Sequence, residues 1–232
     1  MTAPVLIVRP EPGSSDTARR ARALGLAPIT TPIFTIAPVD WEAPEADAVD
    51  AVLLTSANAA RCAGPELRRF THLPCYAVGE STAAEAASVG FRDVRTGPSD
   101  GAAVAALMAS DGVRTAFHPC GRDHIPLGTP GLRLERRLVY QSDSVTALPE
   151  EASGALQKGA LVLIHSPRAG AQFARLIEAA GAAKERIALA AISDAAASAA
   201  GDGWKAKAVA PYPRDHALLE LAAKLCKTGA PG

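Results

Sequence analysis

Short apolar runs rich in β-branched residues alternate along this chain with longer stretches of helical periodicity. "PVLIVRP" (4–10), "AVLLTS" (51–56), "LPCYAV" (73–78), "ALVLIHS" (160–166) and "RIALAAIS" (186–193) are apolar at nearly every position. Such runs predict strands buried on both faces, as in a parallel sheet. "APITTPIFTIAP" (27–38) is a further strand region, broken by Pro32 and Pro38. "FRDVRTG", "VRTAFHP", "RLERRLVYQSDSV" and "WKAKAVAP" also read as extended. Between them lie amphipathic stretches bounded by capping residues and glycines. The first, "GSSDTARRARALG", offers Ser14, Ser15 and Asp16 as helix starts and Gly25 as its stop. "SDGAAVAALMASDG" offers Ser99 and Asp100, and Gly90 ends the helix of "GESTAAEAASVG". Alternating strand and helix with short connections predicts parallel sheets covered by helices.

The pattern also repeats. "LLTSANA" parallels "LIHSPRA", "YAVGESTAAEAASVGF" parallels "LAAISDAAASAAGDGW", and "PSDGAAVAALM" parallels "PRDHALLELAA". "LIVRPEPG" near the start parallels "TAFHPCGR" in mid-chain. The copies are circularly arranged, so the sequence predicts two similar α/β domains. One combines the N-terminal segment with the C-terminal half and encloses the other as an insertion.

A length of 232 residues accommodates two such domains. The hydrophobic share is 48% while aromatics are 4%, so the core must be built from Ala, Val, Leu and Ile. Zero formal net charge argues against sequence-independent nucleic-acid binding, which needs a basic surface. The four cysteines, Cys62, Cys75, Cys120 and Cys226, form no C-x-x-C pair and read as thiols of a reducing compartment. Pro4 and the Arg9–Pro12 segment interrupt the N-terminal apolar run, so no signal peptide is expected. No apolar stretch approaches the roughly 20 residues of a membrane span. The expectation is a cytoplasmic protein.

In an open parallel sheet, ligands bind beyond the carboxyl ends of the strands. The residues there are small or hydroxylated, with an arginine close by in four loops: Arg9, Arg122, Arg168 and Arg214. That composition suits an anion held by helix N-terminal amides, hydroxyls and guanidinium groups. Ser56 and Ser166 lack a G-x-S-x-G elbow and an evident His/Asp set, so capping is the better reading than nucleophilic attack. Neither G-x-G-x-x-G nor G-x-x-x-x-G-K-[ST] occurs. "HPCGRDH" (118–124) holds His118, Cys120, Asp123 and His124, but its spacing fits no standard zinc pattern and reads as a polar strand-end loop. Trp41 and Trp204 read as packing residues, and no histidine is given a role.

Taken in order, "VLIVRP", "LLTSANA", "YAVGESTA", "FHPCGRD", "LVYQS" and "VLIHSPRA" resemble the uroporphyrinogen-III synthase family over nearly the whole chain. The resemblance implies an α/β protein of two similar parallel-sheet domains, flavodoxin-like, joined by a two-stranded linker, with one domain discontinuous. Residues 1–35 and 144–232 would form the domain holding both termini, and 36–143 the inserted one. The linker strands would lie near 35–38 and 139–143. It implies cyclisation of hydroxymethylbilane, with loss of water and inversion of ring D through a spiro intermediate, in haem biosynthesis. It implies no metal and no cofactor, and a monomer acting on a linear tetrapyrrole, with no nucleic-acid or membrane partner. Tyr140 matches the family's cleft tyrosine and is the catalytic candidate. The implied substrate-binding residues are Arg9, Thr55, Ser56, Asn58, Gly79, Ser81, Thr82, Gly121, Arg122, Ser166, Arg168 and Ser193, on strand-end loops facing each other across a cleft.

Two departures stand out. The second "GxxT" turn reads "SDAA" (193–196), without its threonine. After Asp123 the chain carries Pro126, Gly128, Pro130 and Gly131, which predicts a shortened or missing helix where the family has a full one. A catalytically weakened homologue, a two-lobed small-molecule binding protein and, less well, a nucleotide- or phosphosugar-handling enzyme stay open as alternatives.

Overall fold

The computed structural model describes residues 4–97, 100–123 and 127–227. Its elements run β1 (Pro4–Ile7), α1 (Gly13–Ala23), β2 (Ala27–Thr30), β3 (Phe34–Pro38), β4 (Ala51–Leu54), α2 (Ala57–Cys62), β5 (Cys75–Val78), α3 (Glu80–Val89), β6 (Val94–Gly97), α4 (Gly101–Ser110), β7 (Thr115–Gly121), β8 (Arg133–Ser144), α5 (Glu150–Gln157), β9 (Leu161–Ile164), α6 (Pro167–Ala179), β10 (Ala188–Ala191), α7 (Asp194–Ala199), β11 (Ala206–Val209) and α8 (Asp215–Lys227). The chain divides into two compact units. Unit 1 is Met1–Thr35 with Ser144–Gly232, and unit 2 is Ile36–Asp143. Both boundaries fall inside strands, β3 and β8, which are neighbours at one edge of the second sheet.

Unit 1 is built on a sheet of order β11-β10-β9-β1-β2 in which each neighbouring pair is parallel. Read from β2, this is the 2-1-3-4-5 order of flavodoxin-like sheets, and its switch point lies between β1 and β9. The continuous apolar runs fill both faces, as strands with helices on either side require. Leu6, Val8, Val162, Ile164, Leu189 and Ala191 pack beneath α5, α6 and α7. Val5, Ile7, Leu161, Leu163 and Ala190 face α1 and α8.

Unit 2 repeats the plan in permuted chain order. Its sheet runs β3-β8-β7-β4-β5-β6, with β8-β7, β7-β4, β4-β5 and β5-β6 parallel. Val52, Leu54, Cys75, Phe117 and Val139 pack against α2 and α3 with Leu67 and Phe70. On the other face Ala51, Leu53, Tyr76 and Ala116 meet Val104 and Met108 of α4. The space that α1 fills in unit 1 has no helix here among the described residues. Leu127 and Leu132 of the β7–β8 connection pack there instead, and Thr129 and Leu132 form an isolated antiparallel bridge. Glycines and prolines on either side of Leu127 make a helix costly at that point. Ser99, His124 and Pro126 lie outside the described residues.

Helix α1 starts earlier than its serines suggest. Ser14, Ser15 and Asp16 sit within its first turn, and Pro12 occupies the cap position without a side-chain hydrogen bond. The Glu11 carboxylate takes both the Ser15 N–H and its hydroxyl, at 3.0 Å each, and so satisfies a donor that a serine cap would have taken. Helix α5 escaped the sequence reading. It is short and carries Gly154, and its only start signals are Pro149 and the acidic pair Glu150–Glu151. Trp41 stacks on Phe117 with ring centroids 5.5 Å apart, and Trp204 on Phe173 at 5.7 Å, both as packing residues.

Candidate functional site

In unit 2, the candidates cluster at the carboxyl edge of β8-β7-β4-β5. Ser56 caps α2, accepting the Asn58 N–H at 3.1 Å. The Asn58 side-chain carbonyl accepts from Arg61 at 2.9 Å, and Arg61 bridges to Glu85 of α3 at 2.7 Å. Thr55 lies 3.2 Å from Nε2 of the buried His118 on β7. That contact ties the end of β4 to the middle of β7 across the sheet's switch point. Gly79 opens α3 with φ +78°, the left-handed backbone that glycine adopts without strain. Ser81 is exposed on the first turn of α3, and Thr82 is turned into the protein.

Tyr140 is seated by a β-bulge. The β7–β8 pairing runs regularly to Cys120–Leu138, then skips a residue so that Gly121 faces Tyr140. Bulges of this kind re-aim side chains at strand ends. Paired residues in a parallel ladder point to the same face, so the Tyr140 ring lies where a side chain at 121 would be. A Cβ built on Gly121 would meet Tyr140 Cζ at 2.5 Å and its hydroxyl oxygen at 2.8 Å. Glycine is therefore required at 121 for this ring position. The Arg122 N–H donates to the Tyr140 carbonyl at 3.1 Å, and the Arg122 guanidinium is held by Gln141, which in turn donates to Asp143 at 2.9 Å. Tyr140, Gly121 and Arg122 thus form one constellation, beside the Thr55, Ser56 and Asn58 turn and the Gly79–Thr82 turn.

In unit 1, Arg9 follows β1, Ser166 and Arg168 follow β9, and Ser193 follows β10, again at one carboxyl edge. Ser166 caps α6 by accepting the Ala169 N–H at 3.1 Å, and Ser193 caps α7 by accepting that of Ala196 at 3.3 Å. The Arg168 guanidinium stacks on Phe34 of β3, 4.4 Å from the ring centre. "SDAA" therefore keeps its cap without the threonine.

A polar cluster the sequence reading did not assign lies beneath Arg9. Asp215, the first residue of α8, accepts the Thr17 hydroxyl at 2.8 Å and stands 3.0 Å from His165 Nε2. Its other oxygen accepts from Arg20. Arg9 donates to Thr17 at 3.3 Å and stands 3.5 Å from Asp215. Burial holds His165 below the ordinary histidine value, against the pull of Asp215. Its Nδ1 is buried without a hydrogen-bond partner among the described residues. Neutral His165 therefore donates from Nε2 to the carboxylate. For Asp215, burial would raise the carboxyl, but the hydrogen bonds from His165 and Thr17 prevail and hold it well below the carboxylate range. The only advance signals were "RD" at 214–215 opening a helix and a lone histidine after β9.

Among the described residues no three His, Cys, Asp or Glu side chains are grouped to hold a metal ion. Burial raises the thiols of Cys62, Cys120 and Cys226 and pushes that of Cys75 up to about 12, which keeps them protonated and poorly nucleophilic. A cavity of about 430 Å³ in unit 1 opens between the ends of α5 and α6, beside Leu156, Gly159 and Ile187, at the amino ends of β9 and β10. It contains none of the candidates. No described helix is long and apolar enough to cross a membrane.

Comparison with known proteins follows the same lines. The family model described as uroporphyrinogen-III synthase HemD matches residues 15–220. Among solved structures, the chain is similar to the uroporphyrinogen-III synthetase of Helicobacter pylori, with a TM-score of 0.64 at 16% identity, covering 95% of this chain and 99% of that one. It is also similar to a mutant uroporphyrinogen III synthase of the extremely thermophilic bacterium Thermus thermophilus, with a TM-score of 0.57 at 16% identity, covering 97% and 99%. At such identity these two likenesses speak for the fold. No curated protein sequence matches the chain.

Proposed function

This chain belongs to the uroporphyrinogen-III synthase family, and from that premise we infer how its own residues serve a cyclising lyase of haem biosynthesis. The substrate is hydroxymethylbilane, whose many carboxylates call for distributed donors rather than one charged pocket. The strand-end turns supply donors of that kind. In unit 2 they are Thr55, Ser56, Asn58, Gly79, Ser81, Thr82, Gly121 and Arg122. In unit 1 they are Arg9, Ser166, Arg168 and Ser193. Helix N-terminal amides and guanidinium groups bind anions in just this setting.

Tyr140 is the proposed proton donor. The substrate's terminal hydroxyl leaves as its C–O bond breaks, producing a cationic azafulvene. The Tyr140 phenol gives its proton to the departing oxygen, which leaves as water. Ring D then closes through the spiro intermediate, and the proton released when the attacked pyrrole regains aromaticity restores the phenol. Enzyme control of ring geometry is as important as the rate, because the unaided bilane closes without inversion.

The observation that carries this assignment is the bulge that sets the Tyr140 ring against the Gly121 backbone at the sheet's carboxyl edge. The same reading makes the protein a monomer and places it in the cytoplasm, and its four cysteine thiols suit that reducing compartment. The decisive measurement supplies hydroxymethylbilane and separates the type III from the type I product. Type III in excess, above the uncatalysed rate, is expected. Type I alone, at the uncatalysed rate, would overturn the activity and leave a binding protein or an inactive relative.

A further inference from the structure

The Asp215 cluster has the geometry of a support for Arg9. The Arg9 side chain is one-third exposed, just beyond the end of β1 beside the switch point of its sheet. Its underside is fixed in two ways. Thr17, wholly buried on α1, accepts its hydrogen bond while donating to Asp215. Gly13 forms the floor: a Cβ there would stand 2.6 Å from Arg9 Nε and 2.7 Å from Cζ. Asp215 in turn is held by His165, which follows β9, and by Arg20 from α1, so the carboxylate is fixed from two sides. The contact from Asp215 to Arg9, at 3.5 Å, is the longest in the set. The carboxylate therefore acts on Arg9 chiefly through the Thr17 hydroxyl, which it holds at 2.8 Å.

We propose that Asp215, acting through Thr17 and braced by His165, is a positioning residue that holds the Arg9 guanidinium ready for a carboxylate of the substrate. This rests on the reading of Arg9 as a substrate-binding residue. Ordering a mobile arginine costs rotamer entropy, which a preset side chain does not lose again on binding. Charge accounting makes the idea testable against plain electrostatics. Within the cluster, two guanidinium groups face one carboxylate, while nearby Asp16 is paired with Arg19 and Glu11 with Ser15. Replacing Asp215 by Asn makes the cluster more positive. Simple attraction for a polyanionic substrate would then lower KM, whereas lost positioning raises it.

The experiment measures kcat and KM for hydroxymethylbilane with the full chain, well below each variant's Tm. Asp215→Asn should raise KM about tenfold, the scale of one charge-assisted hydrogen bond, with kcat within about twofold because binding is lost equally in ground and transition states. Thr17→Val, close in shape, should raise KM by roughly threefold to tenfold. Neither should add to the effect of Arg9→Ala when combined with it. A KM that is unchanged or lowered in both Asp215→Asn and Thr17→Val, while Arg9→Ala raises it, overturns positioning and leaves Arg9 as a binding residue. An Arg9→Ala variant with unchanged KM overturns the binding role of Arg9, and the support role with it. Should Asp215→Asn fail to fold, Thr17→Val decides alone, and unchanged KM in the folded variant refutes the proposal.

Discussion

Replacing Gly121 by Ala tests the placement of Tyr140 without touching the tyrosine. The backbone at 121 is outside the left-handed region, so alanine brings no torsional strain there. Its whole effect is the added methyl. That carbon would lie 2.5 Å from Tyr140 Cζ and 2.8 Å from both Cε2 and the hydroxyl oxygen, while ordinary contact begins at 3.4 Å. The ring must therefore retreat by about 1 Å, and because Tyr140 is only half-buried it can do so by turning outward. An off-rotamer shift of this kind costs on the order of 1 kcal/mol, which leaves the unit folded. A misplacement of about 1 Å at a reacting group costs on the order of a hundredfold in rate. Formation of the type III isomer by Gly121→Ala should fall by that order, with Tm lowered by only a few degrees. Tyr140→Phe, which leaves the ring in place and removes the hydroxyl, should lower kcat by about tenfold to a hundredfold and change KM little. The double variant should be no slower than the slower single one. Wild-type turnover in a folded Gly121→Ala or Tyr140→Phe protein would refute Tyr140 as the proton donor.

Gly170→Ala should cost about 1–3 kcal/mol despite alanine's better helix propensity, because its Cβ would sit 2.6 Å from the Ala196 carbonyl oxygen and 3.1 Å from the Ala200 nitrogen, forcing α6 and α7 apart; a Tm equal to or above wild type would show that these helices can separate without loss. Stability should also fall as pH drops below 6.5, where the unfolded chain protonates His165 and the folded one, holding it neutral through burial, does not. Asp215 stays ionised in that window, since its carboxyl is held below its ordinary 3.8. Tm measured from pH 7.5 to pH 5 should fall less steeply for His165→Gln, and parallel curves for the two proteins would refute the assignment.

Much of the architecture was written locally. Apolar runs such as "AVLL" and "LVLI", alternating with amphipathic helical stretches, fit a parallel sheet covered by helices, and their circular repetition implied two related units. Ser56, Asp100, Ser166 and Ser193 act as helix caps through contacts two or three residues away, and interactions of that range are legible in a single pass of sequence. The lack of a helix in the described part of the β7–β8 connection was equally local, because Gly128, Pro130 and Gly131 crowd a stretch where a helix interior would have to run. The start of α1 is less legible: three polar residues compete for the cap, whereas in the fold Ser14 is buried within the first turn and Glu11 accepts the Ser15 N–H.

What sequence could not determine depends on residues far apart in the chain. Thr17 and Asp215 are 198 positions apart, and Arg20 and Asp215 are 195 apart, yet one carboxylate serves both. No local pattern marks Asp215, since an acidic residue at the start of a helix is expected for the helix dipole alone. His165 and His118 looked like any other histidines until the start of α8 placed Asp215 beside the first and the end of β4 placed Thr55 beside the second. The position of Tyr140 is of the same kind. "LVYQS" marks a strand, but a slip of one residue in its register is decided by how β8 packs along β7, and that slip sets the ring on Gly121. Local preference determined which segments became strands and helices and how they were capped, because backbone conformation and burial act within a few residues. Only the tertiary structure decided which side chains share a charge or a surface, because those contacts exist only after the sheets have closed.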